Sequence, residues 1–119
     1  MLMTLPALFA LWMGPLTFEH RQTQQFAREG FVVVNTDGVN SRYVIEAYKM
    51  SGSKVTKEKE DRVRLSHSSV WIPRDRRRKL FFSYKPSEFS KGSSFAVCSY
   101  REDYSSPVRL RVCSAVQVQ

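Results

Sequence analysis

The chain has 119 residues, 42% of them hydrophobic and 25% charged, which are the proportions of a folding globular domain and exclude a long disordered segment. That length supports one buried core and not two. Nineteen Lys and Arg against eleven Asp and Glu leave a net charge of +8, so the surface attracts anions: nucleic acid, acidic lipid or an acidic protein.

The first fourteen residues, MLMTLPALFALWMG, are apolar apart from Thr4. They are too short to cross a bilayer of ~30 Å as a helix and match the apolar centre of a signal peptide, so residues 1–15 are expected to be an export leader, with Ala10 or Gly14 as its end. The competing expectation is a buried N-terminal strand or helix. After Pro15 no stretch keeps the helical period of apolar residues, and short β-rich runs separated by turn residues take over. LTFEH (16–20) opens the series. GFVVVN (30–35) is a continuous β-branched run, expected to be buried on both faces or in a sandwich core. TDGVNS supplies a reversal, and RYVIEAYKM (42–50) alternates as a strand. SGSKVTKEKED (51–61) reads as an exposed loop or a frayed hairpin. RVRLS, SSVWIP, KLFFSY, SSFAVCSY (93–100) and VRLRVCSAVQVQ (108–119) complete the set. Seven or so short strands without a helix predict an all-β, immunoglobulin-like seven-stranded β-sandwich, a single domain over residues 16–119.

Chemistry-bearing motifs are scarce. Cys98 and Cys113 form no CxxC pair, His20 and His67 are far apart with no ligand spacing, and no nucleophile-elbow or phosphate-cradling glycine pattern is present. The expectation is a protein that is not an enzyme and has no catalytic residues, no metal and no cofactor.

The run VWIPRDRRRKLFFSYKP (70–86) concentrates Arg74, Arg76, Arg77, Arg78 and Lys79 between two apolar stretches. Together with Arg62 and Arg64 it could grip nucleic acid or another polyanion. Phe81, Phe82 and Tyr84, however, occupy near-successive strand positions, so part of that aromatic set must enter the core instead of forming a stacking platform. A solvated or partner-facing corner between two antiparallel strands is the preferred reading, and nucleic acid is not the favoured partner.

In the last run Val108, Leu110, Val112, Val116 and Val118 share one face, interrupted by Ser114, while Arg109, Arg111 and Cys113 take the other. This is either an ordinary half-buried strand or an edge whose free N–H and C=O groups template another strand, including one from a second copy of the chain.

In order and character, FVVVNTDGVNSRYVIEAYKM, VRLSHSSVWIPRDRRRKLFFSYKP, SSFAVCSY and VRLRVCSAVQVQ resemble the N-terminal immunoglobulin-like domain of the periplasmic chaperones that assemble pili by the chaperone–usher route. The resemblance implies a periplasmic location, no stable membrane insertion, and as partners a pilus or other extracellular-structure subunit and an outer-membrane usher. In that family the last strand of the domain lends alternating apolar side chains to an incomplete subunit; Val108, Leu110 and Val112 hold the corresponding positions. An Arg near the first strand and a Lys on the last hold the subunit's terminal carboxylate. Arg21 lies near the first position, and Arg109 or Arg111 substitutes for the Lys by charge. An oxidising periplasm permits a disulfide if a hairpin about residues 103–107 sets Cys98 opposite Cys113; the alternative is two buried thiols.

Overall fold

Alternating burial along the strands sets one inward row per strand, and two sheets close over those rows. The computed structural model describes residues 11–102 and 111–119. Its strands are β1 (Leu11–Gly14), β2 (Thr17–His20), β3 (Ala27–Asn35), β4 (Ser41–Ser51), β5 (Lys54–Lys59), β6 (Arg64–Leu65), β7 (Ser69–Ile72), β8 (Arg77–Tyr84), β9 (Ser94–Arg101) and β10 (Val112–Val118), with one 3-10 turn at Pro86–Glu88. Sheet I has the order β1-β3-β8-β6; sheet II has the order β2-β10-β9-β4-β5, with β7 also paired to β4. The fold is an all-β immunoglobulin-like sandwich.

Between the sheets lie Met13, Phe31, Val33, Tyr43, Ile45, Leu80, Phe82, Phe95, Val97, Val116 and Val118, all fully buried. Aromatic rings knit this core edge to face: Phe82 meets Phe18 at 5.2 Å between ring centroids, and Tyr84 meets Phe95 at 4.9 Å and Phe89 at 5.4 Å. Such contacts add to the area that the rings bury.

Several local expectations change. The described residues hold ten strands against the seven or so expected, β1 and the hairpin strand β5 being additions: β1 pairs with β3 in sheet I, the chain turns at a cis Gly14–Pro15 bond, and β2 pairs in parallel with β10 in sheet II. The last residues of the expected leader, Leu11–Gly14, are therefore β1, with Met13 fully buried. The run 30–35 is buried on one face only, since Val32 and Val34 point to the outer side of sheet I and stay partly exposed. Residues 51–61 include the hairpin strand β5, largely exposed, with a bulge opposite Tyr48–Met50. The basic corner does not join two neighbouring antiparallel strands: β7 belongs to sheet II and β8 to sheet I, so the corner crosses from one sheet to the other. Its last three cations, Arg77, Arg78 and Lys79, are already in β8.

Candidate functional site

β10 is the strand on which the sequence reading concentrates. On one side it pairs with β9 from Val112 to Gln117; on the other, β2 pairs only with Ala115–Val118. The Ala115 amide donates to the Leu16 carbonyl at 2.9 Å and the Ser114 hydroxyl donates to the Pro15 carbonyl, so cover on the β2 side ends where the chain turns away at Pro15. Among the described residues, Val112 and Cys113 have a strand neighbour on the β9 side alone. Ser114, Val116 and Val118 face the core; Val112 is partly buried and packs against it. Val108, Arg109 and Leu110 lie outside the described residues.

Cys98 and Cys113 are register partners and are joined by a disulfide, which ties β10 to β9 beside the uncovered edge. The Arg111 guanidinium sits 4.7 Å from the Tyr48 ring centroid. Burial raises the Tyr48 phenol above its usual pKa and the neighbouring Glu46 carboxylate adds to the shift. Arg21 is exposed just after β2, whose His20 is paired with Val118, whereas Arg111 precedes Val112. Arg21, level with Gln119, and Arg111 thus stand at opposite ends of the β2–β10 ribbon, about 26 Å apart at ~3.3 Å per residue. The fold does not bring them to one carboxylate.

Arg74, Arg76, Arg77, Arg78 and Lys79 are all exposed, and none is ion-paired among the described residues. What fixes their corner is Asn35, which the sequence reading passed over. Its side chain is fully buried and its Nδ2 donates to the Val39 carbonyl at 2.8 Å and the Ile72 carbonyl at 2.9 Å, while its Oδ1 accepts from the Asp37 amide at 2.8 Å. Its main chain bonds to Arg76 and Asp75, and Asp75 sits at φ +57, a conformation that aspartate tolerates better than most residues. One buried amide thereby locks the 36–40 turn to the 73–76 corner; the only sequence signal was an Asn closing an apolar run. Asp37 is also held by Arg101.

At the other end, His20 bridges the Tyr84 hydroxyl and the Glu29 carboxylate, each at 2.6 Å. Burial, with Glu29 nearby, pushes the Tyr84 phenol up to about 12. Nearby, the nearly buried Glu60 carboxylate takes two bonds from the Arg62 guanidinium at 3.0 and 2.9 Å, and this pairing holds it below the usual carboxylate range despite burial. Arg62 also donates to the Glu88 carbonyl at 2.7 Å and lies 3.9 Å from the Phe89 ring centroid, so its guanidinium is bonded within the domain although its side chain remains exposed. Arg64 remains exposed on β6. No group of three His, Cys, Asp or Glu able to hold a metal occurs among the described residues.

No family model and no curated protein matches the chain. Solved structures match it. The E. coli chaperone DraB superposes with a TM-score of 0.70 at 14% identity, covering 93% of this chain and 55% of DraB. The fold is that of a PapD-like domain. The PapD-like domain 7 of human CEP192 matches with a TM-score of 0.56 at 13% identity over 98% of this chain and 90% of that one. The structure of the Salmonella enterica SafA pilin in complex with the SafB chaperone matches with a TM-score of 0.67 at 7% identity over 93% and 55%. The chain spans about half the length of the two bacterial structures and nearly all of the human domain.

Proposed function

We propose that the protein is a periplasmic, chaperone-like module that binds a subunit of a pilus or a similar extracellular structure by strand addition at the N-terminal half of β10. The observation that carries this reading is the unequal cover of β10: β2 pairs with Ala115–Val118 and stops, and among the described residues no strand covers the other side of Val112–Cys113. A subunit strand laid there would continue the place of β2 in the sheet, its main chain supplying hydrogen bonds and the alternate side chains of β10 supplying the apolar contact. Because Val116 and Val118 belong to this domain's own core, the donated row must precede Ser114, which leaves Val108, Leu110 and Val112. Arg109 and Arg111 flank that row. Arg21, at the far end of the ribbon, is the better placed of the arginines to meet a terminal carboxylate beyond β2, by a charge-assisted and often bidentate pair. An outer-membrane usher is the expected second partner, and binding, not catalysis, is the expected activity.

The leader reading acquires a boundary from β1. A cut at Ala10 leaves Leu11–Gly14 to pair with β3, whereas a cut at Gly14 would remove the buried Met13 from the core. Export therefore predicts a mature protein that begins at or before Leu11, readable by intact mass.

The deciding experiment is co-purification from the periplasm of the native host with wild type and Leu110→Glu, the charge falling in the middle of the apolar row. Recovery of a small β-rich subunit with wild type, and its loss from a variant whose melting temperature is unchanged, supports the proposal. Recovery with both, or with neither, overturns it. Since Leu110→Glu could unfold the chain, Leu110→Ser provides a milder second variant with the same expected loss.

A further inference from the structure

Sheet I carries charge on its outer face without counter-charge. Alternation along β3 and β8 turns Phe31, Val33, Leu80 and Phe82 inward and leaves Arg28, Arg77, Lys79 and the half-buried Phe81 outward. The register then sets Arg28 beside Ser83 and Ser83 beside Arg64 of β6, so the cations spread over three adjacent strands. The one acid in the strands of this sheet, Glu29, is on the inward row and is held by His20. Among the described residues, no carboxylate pairs with Arg28, Arg64, Arg77 or Lys79.

Gly30 keeps the middle of this face low. A Cβ at Gly30 would come within 2.6 Å of Lys79 Cε and 3.2 Å of a Phe81 ring carbon, so the lysine stem and the ring lie down across the β3 backbone. The Arg28 guanidinium stacks 4.0 Å from the Phe81 ring centroid, and the Lys79 ammonium is 5.5 Å away. The result is a low apolar bed with cations spread on it.

We propose that the outer face of sheet I docks the protein on the surface of an anionic phospholipid bilayer. An array of unpaired cations spread over one sheet face is complementary to a surface of phosphates, and each Lys or Arg brought near such a surface is worth about fivefold in affinity. Single-stranded nucleic acid fits less well, because it is held by a groove and by open aromatic faces, and here the ring is already occupied by Arg28. The exposed Arg74, Arg76 and Arg78 extend the same field around the corner, and β10 lies in the opposite sheet, so a docked molecule keeps its partner edge free.

The test is co-sedimentation of the full chain with vesicles of phosphatidylcholine alone or mixed with phosphatidylglycerol. Binding should require phosphatidylglycerol and vanish near 1 M salt, where the screening length falls to about 3 Å. Arg77→Glu with Lys79→Glu should weaken it by about 25-fold or more. Lys54→Glu with Lys57→Glu makes the same change of net charge on β5 in sheet II and should leave binding within about threefold of wild type. Equal losses in the two double variants would mean that net charge alone is read, and binding to phosphatidylcholine alone would exclude a charge-driven dock; either overturns the proposal. So would binding of a single-stranded oligonucleotide, sensitive to Arg77 and Lys79, in the absence of any vesicle binding.

Discussion

The two outer faces of the sandwich handle charge differently. Sheet II pairs several of its charges: Lys59 with Glu46 at 2.7 Å, Lys49 with Glu58 at 2.8 Å and, more loosely, Arg42 with Glu102 at 3.9 Å. Sheet I leaves Arg28, Arg64, Arg77 and Lys79 without a carboxylate among the described residues. Exposed pairs contribute little to stability, a median of about 0–1 kcal/mol, so folding did not demand the pairing on one face or forbid it on the other. The contrast instead leaves the outer face of sheet I with cations that have no paired acid, while sheet II offsets part of its own charge. Lys54 and Lys57 of β5 have no carboxylate partner among the described residues, so sheet II, which contains β10, is only partly neutralised by its pairs.

Asn35 stands where the two faces meet, and its removal is the largest disruption expected. Asn35→Ala strips partners from two carbonyls and one amide and leaves a small void, at about 1–3 kcal/mol for each buried group left unsatisfied, so a total loss near 3 kcal/mol is expected by urea unfolding. A loss under ~1 kcal/mol would mean that the corner and the 36–40 turn hold their places without it.

A smaller loss, with a pH signature, is expected where an arginine of this basic chain does have a partner. Arg62→Ala removes the guanidinium that holds Glu60 below the usual carboxylate range, and burial alone would then raise that carboxyl. In wild type the folded-state pKa of Glu60 is depressed, so its contribution is present above the unfolded value and lost as pH falls through the folded value. The deficit of the variant, about 2 kcal/mol near neutrality, should therefore shrink on acidification through the carboxylate range. A deficit that stays constant would assign the loss to the Phe89 stacking and the Glu88 carbonyl bond instead.

How much of this was legible in the sequence follows the range of the interactions. The sandwich was legible because period-two alternation is local: β4, β8 and β9 match the runs that predicted them to within one or two residues at each end. So was the juxtaposition of Cys98 with Cys113, since a hairpin fixes register by counting back from its turn. The division of the first strand at Pro15 was not, because nothing in LWMGPLTFEH states that its halves pair with strands in different sheets. The corner was read as a bridge between neighbours for the same reason: sequence adjacency does not reveal a crossing between layers. Charge pairing was hidden most completely. Arg62 and Arg64 look alike in RVRLS, yet one is bound to Glu60 and the other is free for solvent. For the partner-binding set, the alternation of the last strand was visible but not the point where it changes use, which is decided by the place where β2 stops.

The sharpest test of the comparison is the smallest in energy, because it concerns sign. Arg77→Glu puts an anion among cations that lack one, beside Lys79 on the outer face of β8, and should stabilise the fold by a few tenths of a kcal/mol. Lys59→Glu sets a second carboxylate against the partly buried Glu46 and should destabilise it by up to about 1 kcal/mol. The two substitutions make the same change in net charge, so a general relief of the +8 would move both variants in one direction. Opposite shifts in melting temperature, both diminished at high salt, are what unequal pairing requires. If Arg77→Glu destabilises the protein as much as Lys59→Glu does, Arg77 has a carboxylate partner after all, and the positive face is not free to receive an anionic surface.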